Sequence, residues 1–249
     1  MLQVGGLTPL TSIDYPGELA TVVFCQGCPW RCGYCHNPDL LAPRSQHPLP
    51  WPQVMDFLRR RQGLLDAVVF SGGEPTLQWA LGEAMDEVRS LGFRIGLHTA
   101  GIYPRRLSAL LPRLDWVGLD IKALPEDYRA LTGAPDAGER AWRSLHLLLA
   151  SGIPLEVRTT LVPPGETFRE GHSNPGDDGD GHFHFQVTTL MYRLATAGVQ
   201  HYALQIIRDR SGPLGTPLTR RAIPVPPADF QARTYAHLGQ TLFHHFELR

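Results

Sequence analysis

The stretch CQGCPWRCGYCHNP, residues 25–38, holds all four cysteines of the chain, spaced Cys25-x2-Cys28-x3-Cys32-x2-Cys35. With no cysteine elsewhere, no disulfide framework can be drawn between distant segments. A structural zinc site usually takes two Cys-x2-Cys pairs a dozen or more residues apart, so that the chain can wrap a tetrahedron. A redox-active dithiol needs one such pair and leaves two thiols unexplained. Thiolates this crowded suit an iron–sulfur cluster better, because its several iron corners accept ligands from one tight loop.

Other residues that carry chemistry lie further along the chain. Of the 23 basic residues only Lys122 is lysine. A compact ammonium differs from a planar guanidinium in size, hydration and donor geometry, so this position reads either as a chance survivor of a bias toward arginine or as one that requires the ammonium. It belongs to LDIK (119–122) at the end of an apolar run, where strand alternation would put Asp120 and Lys122 on one face. Opposite charges inside a buried sheet are costly unless paired or met by a ligand. SGGEP (71–75) and IGLHTAG (95–101) also end apolar runs with glycine and polar residues, and Arg158 lies within a further run.

The elements that must position these residues alternate along the chain. Candidate strands are 19–24, 67–72, 94–100, 116–123, 154–162 and 201–208; candidate helices are roughly 51–62, 77–91, 104–111, 138–151, 185–198 and 227–243. Strands alternating with helices imply βαβ units and a parallel sheet, either open or closed toward a barrel, and periodicity does not separate the two. In both arrangements ligands gather beyond the C-terminal strand ends. The segment 163–185, rich in Gly, Pro, Asp and His, reads as a flexible insertion into a single domain spanning 1–249. A metal role for His172, His182 and His184 has no fixed spacing behind it.

Composition excludes some partners. A formal net charge of −1 argues against bulk attraction to nucleic acid or an anionic membrane. The N-terminal stretch MLQVGGLTPL lacks a basic region followed by an apolar run, and no window nears the ~18 apolar residues of a spanning helix. The expectation is a cytoplasmic protein with reduced thiols.

Cys28-x3-Cys32-x2-Cys35 resembles the signature of the radical S-adenosylmethionine (SAM) enzymes. The resemblance implies that these cysteines hold three irons of a [4Fe–4S] cluster, leaving the fourth iron for SAM, as a catalytic metal site leaves a position open for substrate. The reduced cluster would cleave SAM to methionine and a 5′-deoxyadenosyl radical that abstracts hydrogen. It implies an α/β fold, a partial (β/α)6 TIM-type barrel. Cys25 is left over and reads as a small buried apolar residue. By the same resemblance Tyr34 would sit by the adenine, Gly72 and Gly73 would let backbone approach SAM, and Glu74 would accept from its amino group. Asp120 and Lys122 would meet its methionine end, as in glycyl-radical activating enzymes. Thr99 would lie near the SAM carboxylate, while His98 replaces an aspartate that similar enzymes carry beside a bound monovalent cation. Arg158 is a further candidate SAM contact. No acid–base residue is implied.

Across its whole length the chain resembles the activating proteins of anaerobic ribonucleoside-triphosphate reductase. The shared features are Ile13-Asp14-Tyr15-Pro16-Gly17, Cys35-His36-Asn37-Pro38, Tyr128 with Leu131-Thr132-Gly133, and Tyr202-Ala203-Leu204-Gln205; the 163–185 insertion departs from the pattern. His36 would tune the cluster by hydrogen bonding. The expected partner is then a glycyl radical enzyme, that reductase, with flavodoxin or ferredoxin as electron donor. Three alternatives stand beside this one: a small-molecule radical SAM enzyme such as a 7-carboxy-7-deazaguanine synthase, the activator of pyruvate formate-lyase, and a non-catalytic zinc-binding interaction domain. The first usually has Cys-Asp-Thr where this chain has Cys-His-Asn, and the last would leave SGGEP and LDIK as coincidences.

Overall fold

The computed structural model describes residues 1–161, 179–206 and 228–249. It divides into two compact units. The first comprises residues 1–30, 37–119 and 140–155, the second residues 31–36, 120–139 and 156–249.

The strands of the first unit are β1 (Val4–Thr11), β2 (Ala20–Cys25), β3 (Ala67–Gly72), β4 (Arg94–Thr99) and β5 (Trp116–Asp120), ordered as in the chain. β2 to β5 pair in parallel, whereas β1 pairs antiparallel to β2 with irregular register. Strands β2 and β3 are nearly continuous runs of buried apolar residues, as parallel strands covered on both faces require. Helices lie between them. In α1 (Trp51–Arg59) the buried residues are Trp51, Val54, Met55 and Leu58, and in α2 (Leu81–Ser90) they are Leu81, Ala84, Met85 and Val88. Both sets follow the i, i+3, i+4, i+7 spacing of one helical face. Helix α3 (Pro104–Leu110) opens on proline, whose missing N–H costs nothing in the first turn.

A short helix, α4 (Tyr128–Thr132), and a longer one, α5 (Ala137–Ser151), follow in the chain. The second unit then has β6 (Leu155–Leu161), β7 (His201–Ile206) and β8 (His245–Leu248), paired in parallel in that order, with α6 (Gly179–Thr196) and α7 (Ala228–Leu242) between them. Among the described residues no helix is long and apolar enough to cross a membrane.

The six expected strands are present, with ends shifted by a few residues. Strands β1 and β8 have no counterpart among the expected elements. β1 contains Gly5, Gly6 and Pro9, which weaken a strand signal; it is a strand because β2 pairs with it, and an edge strand tolerates proline. β5 ends at Asp120, so Lys122 lies beyond the strand and does not share its alternation. α6 begins at Gly179, six residues before the expected start, while residues 163–178 of the expected insertion lie outside the described residues. So does His172, and so do the ends of the strand readings beyond 161 and 206.

The Ile13-Asp14-Tyr15-Pro16-Gly17 stretch has a structural task in the first unit. The Tyr15 ring is buried and stacks on Trp116, ring centres 5.1 Å apart, in a cluster with Ala20, Val22, Ala67 and Val69. His98 turns its Nε2 to the Asp14 carbonyl (2.8 Å) and makes an edge contact with the Trp116 ring. That imidazole is engaged in packing.

Candidate active site

In the first unit the cysteine loop leaves the end of β2 through a tightly bonded neck. The Gly27 N–H donates to the Leu40 carbonyl (2.8 Å) and the Cys28 N–H to that of Leu41 (3.3 Å). From β3, the Gly73 N–H donates to the Cys25 carbonyl (3.0 Å) and the Glu74 N–H to that of Gly27 (2.8 Å). Gly72 has a φ of +120°, a conformation that suits glycine, and a Cβ on Gly73 would press into the Gly27 carbonyl and come within 2.8 Å of the Leu40 oxygen. These two glycines therefore allow two backbone segments to meet at the root of the cysteine loop.

Glu74 is fully buried. Its Oε1 accepts from the Thr76 N–H (3.1 Å), the Thr76 hydroxyl and the Thr99 hydroxyl (2.7 Å), and its Oε2 accepts from the Ala100 N–H (2.9 Å). Burial pushes the carboxyl pKa up, with the hydroxyl and backbone donors pulling the other way. Thr99 in turn accepts from the Gly101 N–H (3.0 Å). One carboxylate thus joins the ends of β3 and β4.

The second unit brings together Cys32, Tyr34, Asp120, Lys122 and Arg158. Lys122 Nζ lies 3.3 Å from Asp120 Oδ2 and 5.5 Å from the centre of the Tyr34 ring. Burial works against the ammonium charge, but Tyr34, Asp120, Cys32 and Tyr128 outweigh it and hold the pKa well above lysine's usual range. Burial pushes the Tyr34 hydroxyl up to about 12, with Lys122 opposing, and raises the Cys32 thiol against the same ammonium. Arg158 Nε is 3.7 Å from Asp120 Oδ1 and 3.9 Å from Glu156 Oε1, and both side chains of the latter pair are buried. Beyond Glu156 stands Arg249, which donates from two nitrogens to its two oxygens at 3.1 and 3.0 Å. The result is a chain of alternating charge: Lys122, Asp120, Arg158, Glu156, Arg249.

Several positioning residues in this unit belong to motifs whose members carry no assigned task in the sequence. The Lys122 N–H donates to the Tyr128 hydroxyl (2.8 Å), the Thr132 hydroxyl to the Tyr128 carbonyl (2.7 Å), and the Arg31 N–H to the Thr132 carbonyl (3.1 Å). Tyr128 and Thr132 therefore hold both the lysine and the middle of the cysteine loop. Glu156 and Arg249 do not stand out in the sequence; a buried polar side chain has no signature until its partners are known.

No disulfide joins any of the four cysteines. Cys25 is buried, and its pKa is raised by that burial, so it behaves as the small apolar residue expected. Cys28, Cys32 and Cys35 are partly exposed on one loop, the Cys35 N–H donating to the Cys32 carbonyl at 3.1 Å. Among the described residues no three His, Cys, Asp or Glu side chains are gathered as ligands of a single ion. A cluster of several irons takes one thiolate at each corner and does not require the sulfurs to meet at one point. Three thiols on a single anchored loop fit such a group.

A family model described as the radical SAM superfamily matches residues 22–172. Over 170 residues the chain is 31% identical to a Methanocaldococcus jannaschii protein that bears the name glycyl-radical enzyme activating enzyme, covering 64% of this chain and 68% of that one. It is 32% identical over 170 residues to the pyruvate formate-lyase-activating enzyme of Clostridium pasteurianum, covering 66% of this chain and 70% of the relative. Among solved structures, Streptococcus suis SuiB bound to S-adenosylmethionine aligns with a TM-score of 0.62 at 13% identity over 90% of this chain, which spans about half (48%) of SuiB. A polyhistidine-tagged anSMEcpe with bound AdoMet aligns with a TM-score of 0.63 at 14% identity, covering 89% of this chain and 60% of that one. At such identity the likeness is one of fold, and it bears out the α/β class expected from the sequence.

Proposed function

Because the chain belongs to the radical SAM superfamily and, within it, to the glycyl-radical-enzyme activating enzymes, we propose that its partner is an anaerobic ribonucleoside-triphosphate reductase, on whose glycine it generates a radical. The observation that carries this finer reading is the pairing of Ile13-Asp14-Tyr15-Pro16-Gly17 with Cys35-His36-Asn37-Pro38. The family uses a [4Fe–4S] cluster and SAM, which together supply a one-electron reductive cleavage and a hydrogen-abstracting radical.

The residues of this chain bind, orient and shield. Cys28, Cys32 and Cys35 would hold the cluster. Asp120 and Lys122, with Arg158 beside Asp120, would meet the charged methionine end of SAM, where a lysine ammonium suits a carboxylate in a small space. Tyr34 would sit by the adenine. Gly72 and Gly73 let the backbone close on the root of the loop. Glu74 acts through the Thr99 hydroxyl and the Ala100 N–H that it binds, and Thr99 would lie near the SAM carboxylate. No side chain is assigned to acid–base work; exclusion of water matters instead, since the radical would react with nearby C–H bonds. The electron comes from flavodoxin or ferredoxin, and the setting is the cytoplasm, where thiols stay reduced.

A second reading rests on the names of relatives: a pyruvate formate-lyase as the activated partner. The test is an anoxic reaction of reconstituted protein, reductant and SAM with each candidate partner, read by electron paramagnetic resonance (EPR) for a glycyl radical and by 5′-deoxyadenosine release. A radical on the reductase is the expected result. A radical on the lyase alone would replace the partner, and steady SAM cleavage with no radical on either would turn attention to a small-molecule substrate.

A further inference from the structure

The neck of the cysteine loop is gripped by one buried side chain. Gln26, next to Cys25 and only 2% exposed, points its amide across the neck. Its Nε2 donates to the Asp39 carbonyl (2.9 Å) and to the Ala42 carbonyl (2.7 Å) on the returning arm. The backbone of Gln26 is held from the other side: its N–H donates to the Gln3 carbonyl (2.9 Å), and its carbonyl accepts from Gln78 Nε2 (3.0 Å). Gln78 also donates to the Gln3 carbonyl (2.8 Å) and accepts from the Gln3 N–H (2.7 Å). A Cβ on Gly5 would run into the Gln26 amide oxygen and Leu40, so β1 carries glycine where this side chain passes.

The choice of glutamine follows from donor counting. Two carbonyls on the returning arm need two hydrogens from one planar group; a primary amide carries two, a carboxylate none and a hydroxyl one. Asparagine, one methylene shorter, would fall short. We propose that Gln26 is a positioning residue for the iron–sulfur cluster. By clamping Asp39 and Ala42 it closes the loop that presents Cys28, Cys32 and Cys35, and this closure sets how firmly the cluster is retained. The inference rests on the reading that those three cysteines hold the cluster. Residues around metal ligands act in this way by fixing the geometry of groups that touch the metal, and a loop already closed at its neck has less entropy to lose when its thiolates bind.

The experiment uses the full chain, reconstituted anoxically, as wild type and as Gln26→Met, which keeps length and burial but removes both donors. Three quantities are read: iron release to bathophenanthroline, the EPR signal of the reduced cluster, and thermal unfolding of the apo protein. The expected result is release faster by roughly tenfold or more with a broadened EPR signal, while apo unfolding moves by only a few degrees. Release within about twofold of wild type would overturn the proposal. Should Gln26→Met fail to fold, Gln78→Met removes the bond to the Gln26 carbonyl; release faster by roughly two- to fivefold supports the clamp, and an unchanged rate overturns it. A wild type that takes up no [4Fe–4S] cluster would overturn the cluster reading and the clamp together, whereas a loaded wild type with an unaffected variant overturns the clamp alone.

Discussion

The Lys122 ammonium stands 3.3 Å from the Asp120 carboxylate although β5 ends at Asp120. The pairing arises because the chain turns after the strand and the Tyr128 hydroxyl catches the Lys122 N–H at 2.8 Å. With a side chain 14% exposed, the lysine has little room for a wider cation.

Lys122→Arg keeps the charge but replaces a point donor by a planar fork. We expect SAM affinity, measured by equilibrium dialysis of the reconstituted protein, to fall by roughly tenfold or more with iron content unchanged. An affinity within about twofold of wild type would remove Lys122 from the SAM site.

The cysteines should separate cleanly. Cys25→Ala trims a buried thiol and should lower stability by about 1 kcal/mol, leaving iron per chain and 5′-deoxyadenosine yield at wild-type values. Cys32→Ala should lose both cluster and product. Iron lost from the Cys25 variant with its fold intact would assign that residue to the cluster.

Glu74 carries the pH prediction. Its folded pKa is raised by burial, so its stabilising contribution is complete below the ordinary carboxylate pKa and is lost as pH rises through the raised value. Glu74→Gln cannot ionise and lacks that loss. The melting temperature of the variant relative to wild type, taken on apo protein from acid to neutral pH, should therefore climb with pH. A flat or falling difference would show that the four donors around the carboxylate dominate.

In the second unit Glu156 is 5% exposed and bound at both oxygens by Arg249. Arg249→Met should destabilise by about 2–3 kcal/mol, below the range for a fully buried pair because the arginine is 28% exposed. Pairing it with Glu156→Leu should recover part of that loss. Denaturant titration of the wild type, the two single variants and the double variant measures the coupling, and strict additivity would mean that the pair is not coupled.

Much of this molecule is local in origin and legible as such. The apolar runs of β2 and β3 and the i, i+3, i+4, i+7 faces of α1 and α2 depend on residues near one another in the chain. So does the cysteine spacing, whose resemblance to the radical SAM signature points to Cys28, Cys32 and Cys35, while Cys25 is buried in the core. What the sequence alone could not determine depends on partners far along the chain. Strand β1 exists through β2, although its own glycines and proline speak against it. Glu74 turns inward because Thr99 and Ala100 arrive from another strand, and His98 turns to Asp14 across 84 positions. Gln26 becomes a clamp only once the chain returns with Asp39 and Ala42. A buried polar group is stable only when satisfied, and which groups satisfy it is decided by tertiary packing, since side-chain periodicity records which face is buried and not which donor waits there.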